Sequence, residues 1–215
     1  MEFLFFTEIV ALFFLSRILT RELSYLFYRV FRSRKVSIWL ISILFLPGTI
    51  IHEFSHALMA KLLFVYVGKM ELMPQLNGES LKLGSVEIGK TDIVRNFLIG
   101  IAPFISGTII LLILLYSAYA NNIFGINIFT LLILLLTFMI SNTMYSSKKD
   151  MEGAIEFFLL IVAPIIVLYL LGVRFPIPQI NLESYFRMGS IFLAVPLVLD
   201  IAFISISKIF LRGSR

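Results

Sequence analysis

The sequence predicts an all-α polytopic membrane protein of about six transmembrane helices, with a small β-hairpin insert. Three observations predict it. Of the 215 residues, 60% are hydrophobic and only 14% are charged, with a mean hydropathy of +1.00, whereas soluble domains are about 45–50% apolar and about 25% charged. Several apolar runs approach or exceed the ~20 residues that cross a bilayer as a helix. The one sizeable polar stretch, residues 68–95, carries turn and strand signals. A water-soluble enzyme, a disordered tail and, with no Cys, a disulfide scaffold are thereby excluded. Residues 1–215 read as one integral membrane domain.

The N-terminus, Met1-Glu2-Phe3-Leu4, lacks the positive start of a signal peptide, and no small-x-small cleavage site follows. Phe3–Leu19 therefore reads as a retained first span, interrupted by Glu8 and Arg17. Thr20–Lys35 is basic and amphipathic, and its Tyr25, Phe27, Tyr28 and Phe31 suit an interfacial helix. Val36–Val67 would be about 48 Å long as one helix, against a hydrocarbon core of about 30 Å. Pro47-Gly48 is its natural break, with Thr49 capping the second piece. In Gly68–Arg95, Lys69–Met73 alternates, Asn77-Gly78 signals a hairpin turn, and Leu81, Leu83, Val86 and Ile88 suggest one or two short strands. Phe97–Tyr119, Ile126–Tyr145, Gly153–Val173 and Met188–Leu211 complete the spans.

Charge bears on topology. Six of the 18 Lys and Arg lie between Arg17 and Lys35, where they face anionic lipid headgroups and set orientation. No basic face interleaved with exposed aromatics points to nucleic acid. From Gly68 onward, the insert, the loop around Asp150 and the tail carry nine Lys and Arg, and the intervening turns two. That imbalance places the insert, the Asp150 loop and the C-terminus in the cytoplasm of a multi-pass cell-membrane protein. The basic segment before Lys35 would then lie outside. A re-entrant Val36–Leu46 would remove that conflict and leave about five full crossings.

The whole histidine content is His52 and His56, in the string His52-Glu53-Phe54-Ser55-His56. Two histidines placed at random fall four apart about once in a hundred, and a following Glu makes the pattern rarer still. On a helix this spacing stacks both imidazoles on one face, as a tetrahedral Zn²⁺ requires of two ligands. Such a metal acidifies a bound water and polarises a carbonyl. Glu53, one step around the helix, would take the proton and hand it to the leaving amine. Neutral histidines packed between helices are the plain alternative, but ionisable groups at membrane depth are costly and mark function.

A zinc site needs a third protein ligand. Cys is absent and His is exhausted, which leaves Glu8, Asp150, Glu152, Glu156 and Asp200 at or inside apolar spans. Glu71, Glu79, Glu87 and Asp92 belong to the polar insert and read as solvated. Asp200 also reads as a hydrogen-bonding partner for a neighbouring helix.

Three blocks in order resemble the site-2 proteases, a family of intramembrane zinc metalloproteases, and cover roughly residues 48–153. The first is Gly48 to Lys61 around the His52-Glu53-Phe54-Ser55-His56 motif, followed by Val65-Tyr66-Val67-Gly68-Lys69. The second, Arg95 to Phe104 with Ala102-Pro103, is similar to the turn that opens the family's next span. The third, Asn142-Thr143-Met144-Tyr145-Ser146-Ser147-Lys148-Lys149-Asp150-Met151-Glu152-Gly153, looks like a divergent form of the family's Asn-x-x-Pro and Leu-Asp-Gly-Gly block. The usual Pro and Leu are absent here, and Met151-Glu152-Gly153 replaces the Gly pair. The resemblance implies His52, His56 and Asp150 as ligands of one Zn²⁺ per chain, and Glu53 as catalytic base. It places Asn142 where it can steer substrate or stabilise an oxyanion.

The implied activity is hydrolysis of peptide bonds in transmembrane or membrane-anchored proteins, within the lipid bilayer. Water must then reach a protein-lined cavity, where irregular backbone is tolerated. A partly unwound substrate can add to an edge of the insert as a strand. Two other readings compete. Another class of membrane metalloprotease would replace Asp150 by Glu152 or Glu156, and a non-catalytic zinc-binding membrane protein would use the same site to bind or regulate a partner.

Overall fold

The computed structural model describes residues 2–72, 75–77, 80–82, 84–145, 150, 156–172 and 183–212. Helix α1, Glu2–Phe31, is continuous over 30 residues, so Thr20–Phe31 is not the separate interfacial helix that its charge suggested. Polar residues do not interrupt it because they bond within it. The hydroxyls of Thr20 and Ser24 donate to the carbonyls of Ser16 and Thr20 at 2.8 and 2.7 Å. Leu12, Ser16, Leu19 and Leu23 form the buried stripe at helical spacing, while Phe3, Phe6, Val10, Phe14 and Ile18 are exposed. Arg32, in the left-handed region at φ 52°, ends the helix.

Ser33 then caps α2, Arg34–Leu62, by accepting the Val36 N–H. Here the structure overturns the expected break at Pro47-Gly48: α2 is one helix of 29 residues with Pro47 inside it. Thr49 is no cap; its hydroxyl donates to the Phe45 carbonyl at 3.1 Å. Proline deletes one N–H without opening the rest of the backbone ladder, and the helix continues past it. The re-entrant Val36–Leu46 segment is likewise absent. Gly48 serves packing instead, since a side chain there would collide with the Thr143 hydroxyl and the Met139 carbonyl.

Strands β1, Val67–Glu71, and β4, Ser85–Ile88, pair antiparallel, with a register irregularity between Val67 and Met70. Between them β2, Gln75–Asn77, pairs with β3, Ser80–Lys82, with Asn77 opposite Ser80. The Asn77-Gly78 turn signal thus falls at a hairpin, Leu81 lies in β3, and Leu83 lies outside the described residues. Val67 and Ile88 pack on the cluster of Ala60, Val65 and Ile99, which seats the sheet against the end of α2.

Helix α3, Ile93–Ala120, starts four residues before the expected Phe97 because Asp92 caps it, accepting the Arg95 N–H at 3.0 Å. That hydrogen bond holds the exposed Asp92 carboxyl below its usual range. Helix α4, Ile128–Thr143, is capped by Asn127 and has only 16 residues. A π-helical turn, Phe158–Val162, leads into α5, Ala163–Leu170, and α6 spans Glu183–Arg212.

The described residues form six helices when the π turn and α5 are taken as one. Among these, only α1, α2, α3 and α6 are long and apolar enough to cross a membrane, against the expected six or so crossings. At 1.5 Å per residue, α4 is about 24 Å long, short of a ~30 Å core. Leu19, Leu23, Ile41, Phe45, Phe138 and Ile204 form a core shared by α1, α2, α4 and α6.

Candidate metal centre

The register of α2 turns His52, Glu53 and His56 inward, with Glu53 8% and His56 5% exposed. The two Nε2 atoms lie 3.3 Å apart. Asp150 joins them across 94 residues of sequence from His56, with Oδ1 3.5 Å from His56 Nε2 and Oδ2 3.9 Å from His52 Nε2. One ligand atom from each residue lies within 4.8 Å of the others, so the group can hold a metal ion. Among the described residues no other group of three His, Cys, Asp or Glu meets that criterion.

The far side of each imidazole explains its orientation. His52 Nδ1 lies 2.7 Å from the Thr143 carbonyl, and His56 Nδ1 lies 2.7 Å from the Ile99 carbonyl. A carbonyl only accepts, so each Nδ1 carries a hydrogen, and in the neutral ring each Nε2 presents a lone pair. In that form two lone pairs and a carboxylate face one another, an arrangement that a shared cation relieves.

Both carbonyls are available because the helices that own them leave them unpaired. Thr143 ends α4, and the last four carbonyls of a helix have no partner within it. Ile99 stands four residues before Pro103, which has no N–H to donate back. Proline in α3 thereby creates the acceptor that orients a histidine of α2.

Two glycines let other segments approach. A side chain at Gly100 of α3 would collide with the Asp150 carbonyl oxygen and lie 3.3 Å from its carbon, so Asp150 reaches the histidines across a bare backbone. Gly84, just before β4, lies over Glu53; a Cβ there would sit 3.0 Å from Glu53 Cγ and 3.2 Å from Oε1. The insert therefore covers the acid beside the two histidines. Ser55 and Ser106 share a hydrogen bond that ties α2 to α3 at the same level.

The remaining candidates lie elsewhere. Glu8 accepts a 2.6 Å hydrogen bond from Ser190 and links α1 to α6. Asp200 accepts from Asn142 at 2.8 Å, the interhelical role its sequence context suggested. Asn142 gives its second amide hydrogen to the Phe138 carbonyl at 2.9 Å, so both of its donors are engaged within the bundle. Glu156 is exposed, as are Glu71, Glu87 and Asp92, while Glu79 and Glu152 lie outside the described residues. Sequence reasoning missed the carbonyls of Ile99 and Thr143 and the approaches at Gly84 and Gly100. Pro103 inside an apolar run was the one signal that pointed toward Ile99. Comparison with family models, with curated proteins and with solved structures finds no match for this chain.

Proposed function

We propose that the chain is an intramembrane zinc metalloendopeptidase, acting on transmembrane or membrane-anchored proteins. The observation that carries the reading is the convergence of His52 Nε2, His56 Nε2 and an Asp150 carboxylate oxygen, with Glu53 buried beside them. Tetrahedral zinc with ligand bonds of about 2.0–2.1 Å separates its ligand atoms by roughly 3.3 Å. The two Nε2 atoms, 3.3 Å apart, match that spacing, and each lies within 3.9 Å of its nearer Asp150 oxygen, Oδ1 for His56 and Oδ2 for His52. The donor set, two neutral imidazoles and one carboxylate, suits zinc and leaves a fourth position for water or substrate.

Zinc, when bound, supplies Lewis acidity and acidifies water. The protein's own residues do the rest. Glu53 receives the proton of the attacking water on its carboxylate and returns it to the amine that leaves. The carbonyls of Thr143 and Ile99 hold both imidazoles in the tautomer that offers Nε2. The loop at Gly84 shields Glu53, and a strand edge of the β-insert offers an unwound substrate a place to pair. Four helices long and apolar enough to cross a membrane support a multi-pass protein that meets its substrates in the bilayer, and the basic insert, Asp150 loop and tail favour a cytoplasmic opening.

Metal analysis of the purified chain tests the reading, together with cleavage of a membrane-anchored reporter in liposomes. Wild type should carry one zinc per chain, and His56→Ala and Asp150→Ala should lose it. Glu53→Gln should keep the metal and lose at least about a hundredfold in turnover, the scale of a general base. Wild type free of zinc would falsify the reading. Metal retained with no turnover in wild type would instead favour a zinc-binding protein that engages a partner.

A further inference from the structure

We propose that Asp200 is a positioning residue for the metal centre: it holds the last turn of α4 so that the Thr143 carbonyl stays on His52. The proposal rests on the zinc reading above. Asp200 lies inside α6, a helix long and apolar enough to cross a membrane, and is fully buried. A carboxyl there is expensive, and an apolar residue of similar size would pack at lower cost. Its presence calls for a use beyond filling space.

The contacts supply one. Asp200 Oδ1 accepts a hydrogen bond from Asn142 Nδ2 at 2.8 Å, and the same nitrogen donates to the Phe138 carbonyl at 2.9 Å. Asn142 is thereby clamped between the last turn of its own helix and α6. The next residue, Thr143, is the one whose carbonyl takes His52 Nδ1–H. A displaced Thr143 carbonyl would turn the imidazole and carry Nε2 away from His56 and Asp150. From Asp200 to the first metal-facing nitrogen there are two hydrogen bonds and one peptide unit. The end of α4 is also held on the α1 side, where the Tyr145 hydroxyl donates to the Ile9 carbonyl at 3.1 Å. Asp200 provides the hold from α6.

The pair is poor as a pure stability device. Asp200 Oδ2 and Asn142 Oδ1 are buried with no hydrogen-bond partner among the described residues, and each such atom costs free energy. A contact selected for packing alone would not leave two acceptors unmet. One that fixes the direction of a single amide tolerates that cost.

Zinc affinity of the full chain in detergent, measured by chelator competition, tests the proposal without relying on turnover. Asp200→Leu and Asn142→Ala should each weaken zinc binding about tenfold, at the lower end of what partners behind metal ligands contribute. The double variant should be no weaker than either single one, because both remove the same bond. Asp200→Asn should bind like wild type, since its amide oxygen accepts the same hydrogen. Thr137→Val, which deletes another fully buried hydroxyl of α4, should also leave affinity unchanged. If Asp200→Leu does not fold, Asn142→Ala carries the test. Wild-type affinity in Asn142→Ala, or an equal loss in Thr137→Val, would overturn the proposal alone. A wild type that binds no zinc would overturn the underlying reading and the proposal with it.

Discussion

Pro103 shows how one residue acts through the atom it lacks. Alanine is the better helix former by about 3 kcal/mol, so Pro103→Ala should leave α3 at least as helical by circular dichroism. It also restores an N–H aimed at the Ile99 carbonyl, which then competes with His56 Nδ1 for the same oxygen. Zinc affinity should fall by roughly three- to tenfold while helix content holds, below or at the low end of outer-partner effects. Unchanged affinity would mean that the carbonyl serves both donors. The histidine pair itself was legible from sequence because helical spacing is local: residues four apart share a face whatever the rest of the chain does. The partners of Nδ1 were not, because backbone carbonyls have no residue type to read.

Two close approaches of elements at this centre depend on missing side chains. Gly48 admits the end of α4 to α2, and Gly100 admits Asp150 to α3. Gly100→Val should push the Asp150 backbone away and weaken zinc binding by at least about tenfold, since displacements near 1 Å suffice to disrupt a site. Chelator competition reads the loss, and retention of wild-type affinity would show that Asp150 can retreat without leaving the metal. The span limits of α3 and α6 followed closely from hydropathy. Those of α2 did not, because Pro47 reads as a stop signal, whereas it removes a single N–H and the helix runs on through it. The split of α1 failed for the related reason that Thr20 and Ser24 satisfy their own hydroxyls within the helix.

At the scale of the whole molecule, a bound ion would tie α2 to Asp150 and so cross-link segments far apart in sequence. Ligand binding to the folded state alone stabilises it by about 2.7 kcal/mol at a hundred times Kd, which for a chain of this length is about 5–10 °C in Tm. Zinc-loaded protein should melt higher than chelator-treated protein by that margin, and Asp150→Ala should abolish the difference. Lowering the pH should narrow it as well, because protons compete with the metal for imidazole and carboxylate. A melting point indifferent to zinc in wild type would count against a metal that bridges these segments.

The sequence by itself determined the long apolar helices, the helical class, the β-insert and the inward pair of histidines with its adjacent acid. Each of these depends on composition or on spacing within a few residues, where local geometry decides the outcome. The resemblance of the block from Asn142 to Gly153 pointed to Asp150, but only the tertiary structure brought it to the pair and decided why each imidazole points as it does and that Asn142 is the partner of Asp200. By residue chemistry alone Asp150 is one of several carboxylates at the ends of apolar spans; only the pattern of its block set it apart. It is selected by a packing event, the approach of its backbone to Gly100, that brings it to histidines nearly a hundred residues away.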